Sequence, residues 1–386
     1  MHGRNRDHLA AGMWAINLSL GSYSTKYLPD DYPDTKPFRD CIYYRCPTVW
    51  SEPPINLSSA IEMPLGISHL DASFVHNNLP VLVNKITLSN FVTRRYLDQL
   101  EETAKIFPAE LRHLYTANGL SECIDKIAKV LWRHRQPRTG LLTIDGHDFG
   151  SGSLLARSLS GIGDPFFEVD RLPTPTGPED RKFFNALESR LQADDLLAMF
   201  VEPLMRQSLG RLPFPVLERI VQSCRESGVP VVFNESASLF YRYAEQSFTA
   251  GGIPQIQPDA AVAYLGGQMA LVATTNQFFI DKPLMLISTW DGDALSLSQF
   301  HRALVAVQSD PQTYFDTIST FQQNLSNIIQ QDPHAASQLE RGIGCLTGKL
   351  PESIAPLFRQ AGKSRWLSCP SYAEMLRFNK TAAVSS

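Results

Sequence analysis

Short apolar runs alternate with amphipathic helical segments through the middle of this chain, and this alternation limits its possible folds more than any other feature. Five apolar runs have the length of strands: residues 140–144, 197–201, 229–233, 260–264 and 269–274. The intervening segments 182–191 and 215–227 carry apolar side chains at helical spacing. Because buried strands that alternate with helices form a mostly parallel sheet covered on both faces, the pattern predicts an α/β fold.

Helical patterns flank this region on both sides. Residues 92–107 and 121–135 predict two helices before the first strand, and the turn from Asn118 to Ser121 leads into the second helix. After residue 293 the pattern predicts helices at 294–308 and 312–330, then strands at 342–348 and 366–368. Residues 1–62 contain six prolines, which predict an extended arm.

Composition excludes several classes of protein. With 43% hydrophobic and 19% charged residues, the 386-residue chain has the make-up of a globular protein. The net charge of −4 argues against a nucleic-acid surface, and no apolar run is long enough to cross a membrane. Six dispersed cysteines without zinc spacing predict no metal site, and dispersed thiols favour a cytoplasmic location.

Polar residues follow three of the predicted strands at their carboxyl ends. His147 and Asp148 follow the first strand, Glu202 the second, and Asn234-Glu235 the third. Ligands of such sheets bind beyond the carboxyl ends of the strands, so these side chains are candidate site residues. The turn before the helix at 121–135 is a candidate phosphate site, because the first backbone amides of a helix have no partner within it.

Several segments follow one another in the order found in a known family. They are Met63-Pro64-Leu65-Gly66-Ile67-Ser68-His69, residues 107–115, Glu202-Pro203, Pro258-Asp259 and Ser288-Thr289-Trp290-Asp291-Gly292-Asp293. In order and spacing they resemble the class III aminotransferases, which are pyridoxal-phosphate (PLP) enzymes of fold type I. Within that class the resemblance is strongest to the lysine 6-aminotransferase and 4-aminobutyrate aminotransferase branch, and it covers roughly residues 58–378.

The resemblance implies a division into domains and an oligomeric state. Residues 63–292 would form the large domain with its mostly parallel sheet. A small α+β domain would combine both termini, from an arm at 1–62 and from linking helices and a tail at 293–386. Because class III sites are built at a dimer interface, the resemblance implies a homodimer, or a heterodimer in which this chain lends Thr289 to an active relative.

Two residues that the family needs for its chemistry are replaced. Leu265 occupies the position of the Schiff-base lysine, and no lysine lies between Lys182 and Lys282. Without an amine the internal aldimine cannot form. Asn234 occupies the position of the aspartate that pairs with the pyridinium nitrogen, and an amide brings no charge to that pair.

Two further segments depart from the family pattern. Asn379 stands where the family has the arginine that grips the substrate carboxylate, and Gln207 replaces a loop glutamate. His147 stands at the position of the aromatic side chain that stacks on the cofactor ring, and an imidazole can still stack.

The positions that contact phosphate in the family are retained. Gly119, Leu120 and Ser121 keep a turn at a helix start, and Thr289 keeps the position that reaches the phosphate of the neighbouring subunit. Together with His147 and Asn234, these residues form the predicted cofactor-binding set. They favour a small phosphorylated ligand, such as PLP or pyridoxamine phosphate bound without a covalent link.

Three functions remain open from the sequence. The favoured one is a degenerate aminotransferase-like protein that does not transaminate, a pseudoenzyme or a repurposed ligand- or partner-binding protein. The second is an enzyme that uses PLP or pyridoxamine phosphate without an internal aldimine. The third is a cofactor-independent enzyme in the vacated pocket, whose candidate catalytic residues are His147, Asp148, Glu202 and Glu235.

Overall fold

A computed structural model describes most of the predicted α/β region and the helices that follow it. It covers residues 93–206, 210–266, 268–282, 285–286, 291–331, 339–342, 345–349 and 366–367. No helix among these residues is both long and apolar enough to cross a lipid bilayer.

A seven-stranded sheet forms the centre of the described structure. Its strands are β1 (His113–Ala117), β2 (Gly140–Ile144), β3 (Val169–Leu172), β4 (Leu196–Val201), β5 (Val231–Asn234), β6 (Ala260–Gly266) and β7 (Met269–Thr274). They are ordered β1-β7-β6-β5-β4-β2-β3, and β7 alone among them runs against its neighbours. The carboxyl ends of the other six strands therefore share one edge. The predicted mostly parallel α/β sheet is confirmed.

Helices cover both faces of this sheet. They are α1 (Arg94–Ala104), α2 (Leu120–Arg135), α3 (Leu154–Ser160), α4 (Arg181–Leu191), α5 (Phe214–Glu226), α6 (Ala294–Ser309) and α7 (Pro311–Gln331). Amphipathic spacing explains the two helices α4 and α5, which bury Phe183, Leu187, Val216, Leu217 and Ile220 while their charged side chains face outward.

One apolar core lies on each face of the sheet. Alternate residues of β6 point to opposite sides, so Ala263 and Leu265 pack in the core under α5 and α6, while Val262 packs in the core under α2. The fold therefore has three layers, and this alternation fixes which residues of a strand can reach a ligand on the α2 side.

The described part of the tail forms a second, three-stranded antiparallel sheet. Its strands are β8 (Leu339–Gly342), β9 (Cys345–Lys349) and β10 (Trp366–Leu367). The prediction of one strand at 342–348 was wrong, because Gly342 pairs with Cys345 and the chain reverses there. The domain boundaries stay a prediction.

Candidate functional site

A cleft of about 650 Å³ lies at the carboxyl edge of the main sheet. Each part of its wall follows the end of a strand or lies close to one. The lining residues, here called the cleft wall, are Asn118, Gly119, Leu120, Ser121, Glu122, Asp148, Gly150, Ser151, Gly152, Ile162, Arg206 and Tyr264. The topology thus brings together loops that are distant in sequence, as expected for a sheet of this type.

The amino end of α2 forms one side of the cleft wall. Gly119 is the N-cap residue in an extended conformation and contributes no side-chain cap. Glu122 in the first turn accepts a hydrogen bond from the Asn118 N–H at 2.7 Å. The first amides of a helix have no partner within it, and the helix dipole favours negative charge there. This side of the cleft wall is therefore suited to an anion.

The loop after β2 lies directly on this helix end. The Gly152 N–H donates to Ser121 Oγ at 2.8 Å. Gly150 has φ +93°, and a Cβ there would lie 2.5 Å from the same Oγ. Only glycine accommodates both the left-handed backbone and this close approach. The loop therefore places Asp148 opposite the amino end of α2.

Asp148 and Arg206 form an ion pair in the cleft wall. Arg206 Nη1 donates to Asp148 Oδ2 at 3.0 Å, and the two side chains are 18% and 14% exposed. The other carboxylate oxygen, Oδ1, accepts from the Gly150 N–H at 2.8 Å and from Ser160 Oγ at 3.3 Å. The pair joins the loop after β2 to the loop after β4.

Beneath the cleft wall lies a buried polar cluster, here called the floor network, which consists of His147, Glu202, Asn234 and the main chain of Asp148. Glu202 accepts from the Asp148 N–H at 2.7 Å and from Asn234 Nδ2 at 3.0 Å. Its own N–H donates to His147 Nδ1 at 3.0 Å. All three side chains are at most 1% exposed.

Burial sets the ionisation of these groups. It raises the pKa of Glu202 well above 4.5, although the Asp148 N–H and the charge of Arg206 oppose this shift. It lowers the pKa of His147 to about 3, with Arg171 adding to the effect. Since His147 Nδ1 accepts a hydrogen bond, the neutral ring carries its proton on Nε2, for which the described residues provide no partner.

Asn234 uses the full hydrogen-bonding capacity of its side chain. Nδ2 donates to the Asp148 carbonyl at 2.9 Å and to Glu202 at 3.0 Å. Oδ1 accepts from the Ser236 N–H at 3.2 Å and from Ser236 Oγ at 2.7 Å. Two donated and two accepted bonds leave the amide no capacity for a ligand.

Solved structures of several aminotransferases are similar to this architecture. An (S)-enantioselective ω-transaminase from Thermomicrobium roseum aligns with a TM-score of 0.65 and 14% identity over 85% of this chain and 87% of its own. The ornithine aminotransferase of Toxoplasma gondii aligns with a TM-score of 0.63 and 13% identity over 85% of each chain. The fold is that of the fold type I aminotransferases.

The comparison of sequences is weaker than that of structures. No family model matches the chain. The β-alanine–pyruvate aminotransferase of Pseudomonas aeruginosa is 28% identical over 173 residues, which cover 38% of each chain. The match therefore spans well under half the length of this curated relative.

Leu265 lies outside the cleft wall. It is fully buried on β6 and belongs to the core under α5 and α6. Its neighbour Tyr264 faces the other way and lines the cleft. The residue that the resemblance puts at the lysine position is thus on the face of the sheet opposite α2.

Two predicted site residues lie away from the cleft. The ring of His147 is buried in the floor network, and its neighbour Asp148 lines the cleft wall, so the predicted stacking of His147 on a ligand stays a prediction. Glu235 is fully buried and binds the N–H groups of Ala250 and Gly251 at 3.0 and 2.6 Å and Ser238 Oγ. Burial raises the pKa of Glu235, and its contacts make it a support for the loop after β5.

The structure also adds residues that the sequence did not single out. Lys126 on α2 is 4% exposed and contacts Glu122 at 3.4 Å, the Thr116 carbonyl at 2.7 Å and Asp291. No sequence signal pointed to Lys126, because at 3.6 residues per turn it lies away from the apolar stripe of the predicted helix 121–135. No sequence signal pointed to Arg206 either, because its partner Asp148 is 58 residues away.

Other predicted positions are outside the described residues: Thr289, Gln207 and Asn379. Gly119, Leu120, Ser121 and Asp148 are brought together in the cleft wall, while Glu202 and Asn234 meet beneath it. In the described part of the chain, no three His, Cys, Asp or Glu side chains are grouped so that they could hold a metal ion.

Proposed function

We propose that this chain is a ligand-binding protein with an aminotransferase fold that does not catalyse transamination. The observation that carries the proposal is the burial of Leu265 in an apolar core, at the position where the family resemblance puts the Schiff-base lysine. Leucine has neither an amine for an aldimine nor a group that exchanges protons.

The residues of the site do not fit PLP held as in an aminotransferase. An internal aldimine needs an amine, and the lysine of the cleft region, Lys126, is enclosed by Glu122, Asp291 and the Thr116 carbonyl. The pyridinium nitrogen needs an anionic partner, whereas Asn234 is neutral and fully hydrogen-bonded. We therefore derive no reaction step through this cofactor.

The cleft wall fits a small phosphorylated ligand that is bound without a covalent link. The amino end of α2 offers backbone amides from Leu120 and Ser121, and Arg206 supplies a guanidinium group opposite them. The volume of about 650 Å³ lies within the range of small-molecule sites. PLP and pyridoxamine phosphate are suitable probes of this site because both carry a 5′-phosphate.

An absorbance titration tests the proposal directly. The purified protein is titrated with PLP, treated with borohydride and analysed by mass spectrometry. We expect saturable binding with the spectrum of the free aldehyde and no reduced adduct on the cleft side of the chain. A borohydride-fixed adduct at a residue of the cleft, or turnover of an amino donor with a keto acid, would contradict the proposal.

The same preparation separates the two alternative functions. An enzyme that uses pyridoxamine phosphate without an internal aldimine would bind that compound and change its spectrum when a carbonyl substrate is added. A cofactor-independent enzyme would bind neither phosphorylated probe, and its activity would depend on Asp148, the candidate acid that lies in the cleft wall.

We propose a homodimer as the assembly, with a heterodimer with an active relative as the alternative. An exposed apolar group surrounds Ser158, whose Oγ contacts the Phe166 and Phe167 N–H groups and the Leu154 carbonyl. Phe166 is 69% and Leu154 54% exposed, which is typical of a surface that another chain covers. Light scattering on the purified chain gives the state, and a second polypeptide that copurifies in equal amount would favour the heterodimer.

A further inference from the structure

The Asp148–Arg206 ion pair distinguishes this cleft from a plain phosphate pocket. Both side chains belong to the cleft wall, and Arg206 is the one cationic side chain among the described lining residues. An anion that enters the cleft therefore meets a guanidinium group that already has a carboxylate at 3.0 Å.

The remaining charges near the cleft are compensated within the protein. Glu122 lies 3.4 Å from the Lys126 ammonium group, which also contacts Asp291. Because Lys126 is only 4% exposed, it cannot approach a ligand without leaving these carboxylates. Electrostatic selection in the cleft consequently depends on Arg206 and on its partner Asp148.

Asp148 is held in place independently of Arg206. Its Oδ1 accepts hydrogen bonds from the Gly150 N–H and from Ser160 Oγ, while Oδ2 alone contacts the guanidinium group. If Arg206 turns away, the carboxylate keeps its position through Oδ1. Its negative charge then remains in the cleft wall and repels any anion that Arg206 binds.

We infer that Arg206 exchanges the Asp148 carboxylate for the dianionic phosphate group of a phosphomonoester, and that Asp148 acts as a built-in competitor. This inference rests on the proposed ligand-binding function. A phosphate monoester carries about −1.5 to −2 charges near pH 7 and offers several oxygens to the planar guanidinium group. A carboxylate ligand carries one charge, so it has no such advantage over Asp148. The pair thereby selects phosphomonoesters over carboxylates.

Calorimetric titration of the full chain with pyridoxamine 5′-phosphate, inorganic phosphate and acetate tests this exchange. Arg206→Gln removes the guanidinium group, and we expect about tenfold or greater loss of affinity for both phosphates. Asp148→Asn removes the competing charge and keeps an oxygen for the Gly150 N–H. We expect the Asp148→Asn variant to bind both phosphates about three- to tenfold more tightly. The ratio of its affinity for phosphate to its affinity for acetate should be smaller than in the wild type.

Matched controls make the same changes far from the cleft. Arg219→Gln removes an arginine that pairs with Glu188 at 3.1 Å on the surface, and Asp194→Asn removes the partner of Arg138. Both should bind like the wild type. Misfolding cannot explain the result with Asp148→Asn, because a damaged site does not gain affinity.

Three results would overturn the inference. They are equal affinity in Arg206→Gln and Arg219→Gln, weaker phosphate binding in Asp148→Asn, and absence of saturable phosphate binding in the wild type. None of them produces a borohydride-fixed adduct or transamination. The first two results leave phosphate binding by the wild type intact and therefore contradict this inference alone, whereas the third would also remove the phosphorylated ligand of the proposed function.

Discussion

The cleft wall and the floor network contain similar polar side chains but satisfy them in different ways. In the floor network, each hydrogen bond of Asn234 goes to another protein group, and Glu202 accepts from the N–H groups of Asp148 and Arg206 and from Asn234 Nδ2. In the cleft wall, Asp148 and Arg206 are partly exposed and pair with each other at 3.0 Å. Polar residues beyond the ends of strands can therefore serve either the protein's own architecture or a ligand, and only their partners show which.

This difference separates two parts of an aminotransferase site. The resemblance assigns the phosphate to Gly119, Leu120 and Ser121, which lie in the cleft wall. It assigns the reactive end of the cofactor to Leu265 and Asn234, which here belong to an apolar core and to the floor network. The half that the resemblance assigns to the phosphate is open to the cleft, and the half that it assigns to the chemistry is occupied by contacts within the protein.

Leu265→Lys is expected to have the largest effect on stability. The new ammonium group would enter the apolar core under α5 and α6, at a position that is fully buried. We expect the free energy of unfolding to fall by about 4 kcal/mol or more, as for other unpaired buried charges. Urea titration measures the loss, and the control Leu265→Met should lose less than about 1.5 kcal/mol. A stable variant that forms an aldimine with PLP would contradict the conclusion that position 265 is shut off from the cleft.

Asn234→Asp introduces the aspartate that the resemblance implies at this position. It tests whether the floor network can accept a second carboxylate. The new carboxylate would lie about 3 Å from Glu202, where Nδ2 now donates at 3.0 Å. We expect a loss of about 3 kcal/mol in the free energy of unfolding at pH 7. Because each carboxylate raises the pKa of the other, the loss should shrink as the pH falls toward 4. Asn185→Asp on the exposed side of α4 is the control, and an equal loss there would refute the argument.

Gly150→Ala tests the loop that forms the cleft wall. The added Cβ would meet Ser121 Oγ at 2.5 Å, on a backbone with φ +93°. We expect a loss of about 2 kcal/mol in the free energy of unfolding and weaker binding of inorganic phosphate. The double variant Gly150→Ala/Ser121→Gly should recover part of the loss because the contact is removed while the backbone strain stays. Gly177→Ala has open space and should be neutral.

The smallest expected effect is a change in the pH dependence of stability. Since burial raises the pKa of Glu202 above 4.5, the folded protein binds this proton more readily than the unfolded chain. The free energy of unfolding should therefore decrease as the pH rises above about 4.5, by at most about 1.4 kcal/mol per pH unit for this group, until the folded pKa is reached. Urea titrations at several pH values should show a weaker decrease in Glu202→Gln. A curve unchanged from wild type, as expected for exposed Glu188→Gln, would show that Glu202 titrates normally.

Sequence patterns predicted the buried strands well and the edge strands poorly. β2 and β7 match their predicted limits, and β4 and β5 differ by one or two residues, because continuous apolar runs mark them. β1 and β3 were not predicted. They lie at the two edges of the sheet, and β3 contains the charged residues Asp170 and Arg171, so neither has the apolar run of a central strand.

The sequence was sufficient to locate the candidate site, but not to tell which side chains face the cleft. Strand ends and the helix start placed Asp148 and Ser121 near one another, as the sheet topology requires. The sequence could not tell which of the neighbours His147 and Asp148 lines the cleft, because a loop has no period that shows which residue faces inward. The ion pair of Arg206 and the two bonds that Asn234 Nδ2 donates join residues 32 to 86 positions apart, which no local pattern encodes.

If the proposed function holds, the direct return of β6 into β7 limits how mutation could give this protein aminotransferase chemistry. Tyr264 pairs with Ala270 and Gly266 with Met269, so position 265 is the extra residue of a bulge just before the chain reverses. Transamination would need a longer connection that turns residue 265 toward α2, a free carboxylate at position 234 and room in the floor network. Each of these changes would be disadvantageous without the other two. Single-substitution libraries should therefore contain no revertants, and selection for transamination would have to begin with insertions between β6 and β7.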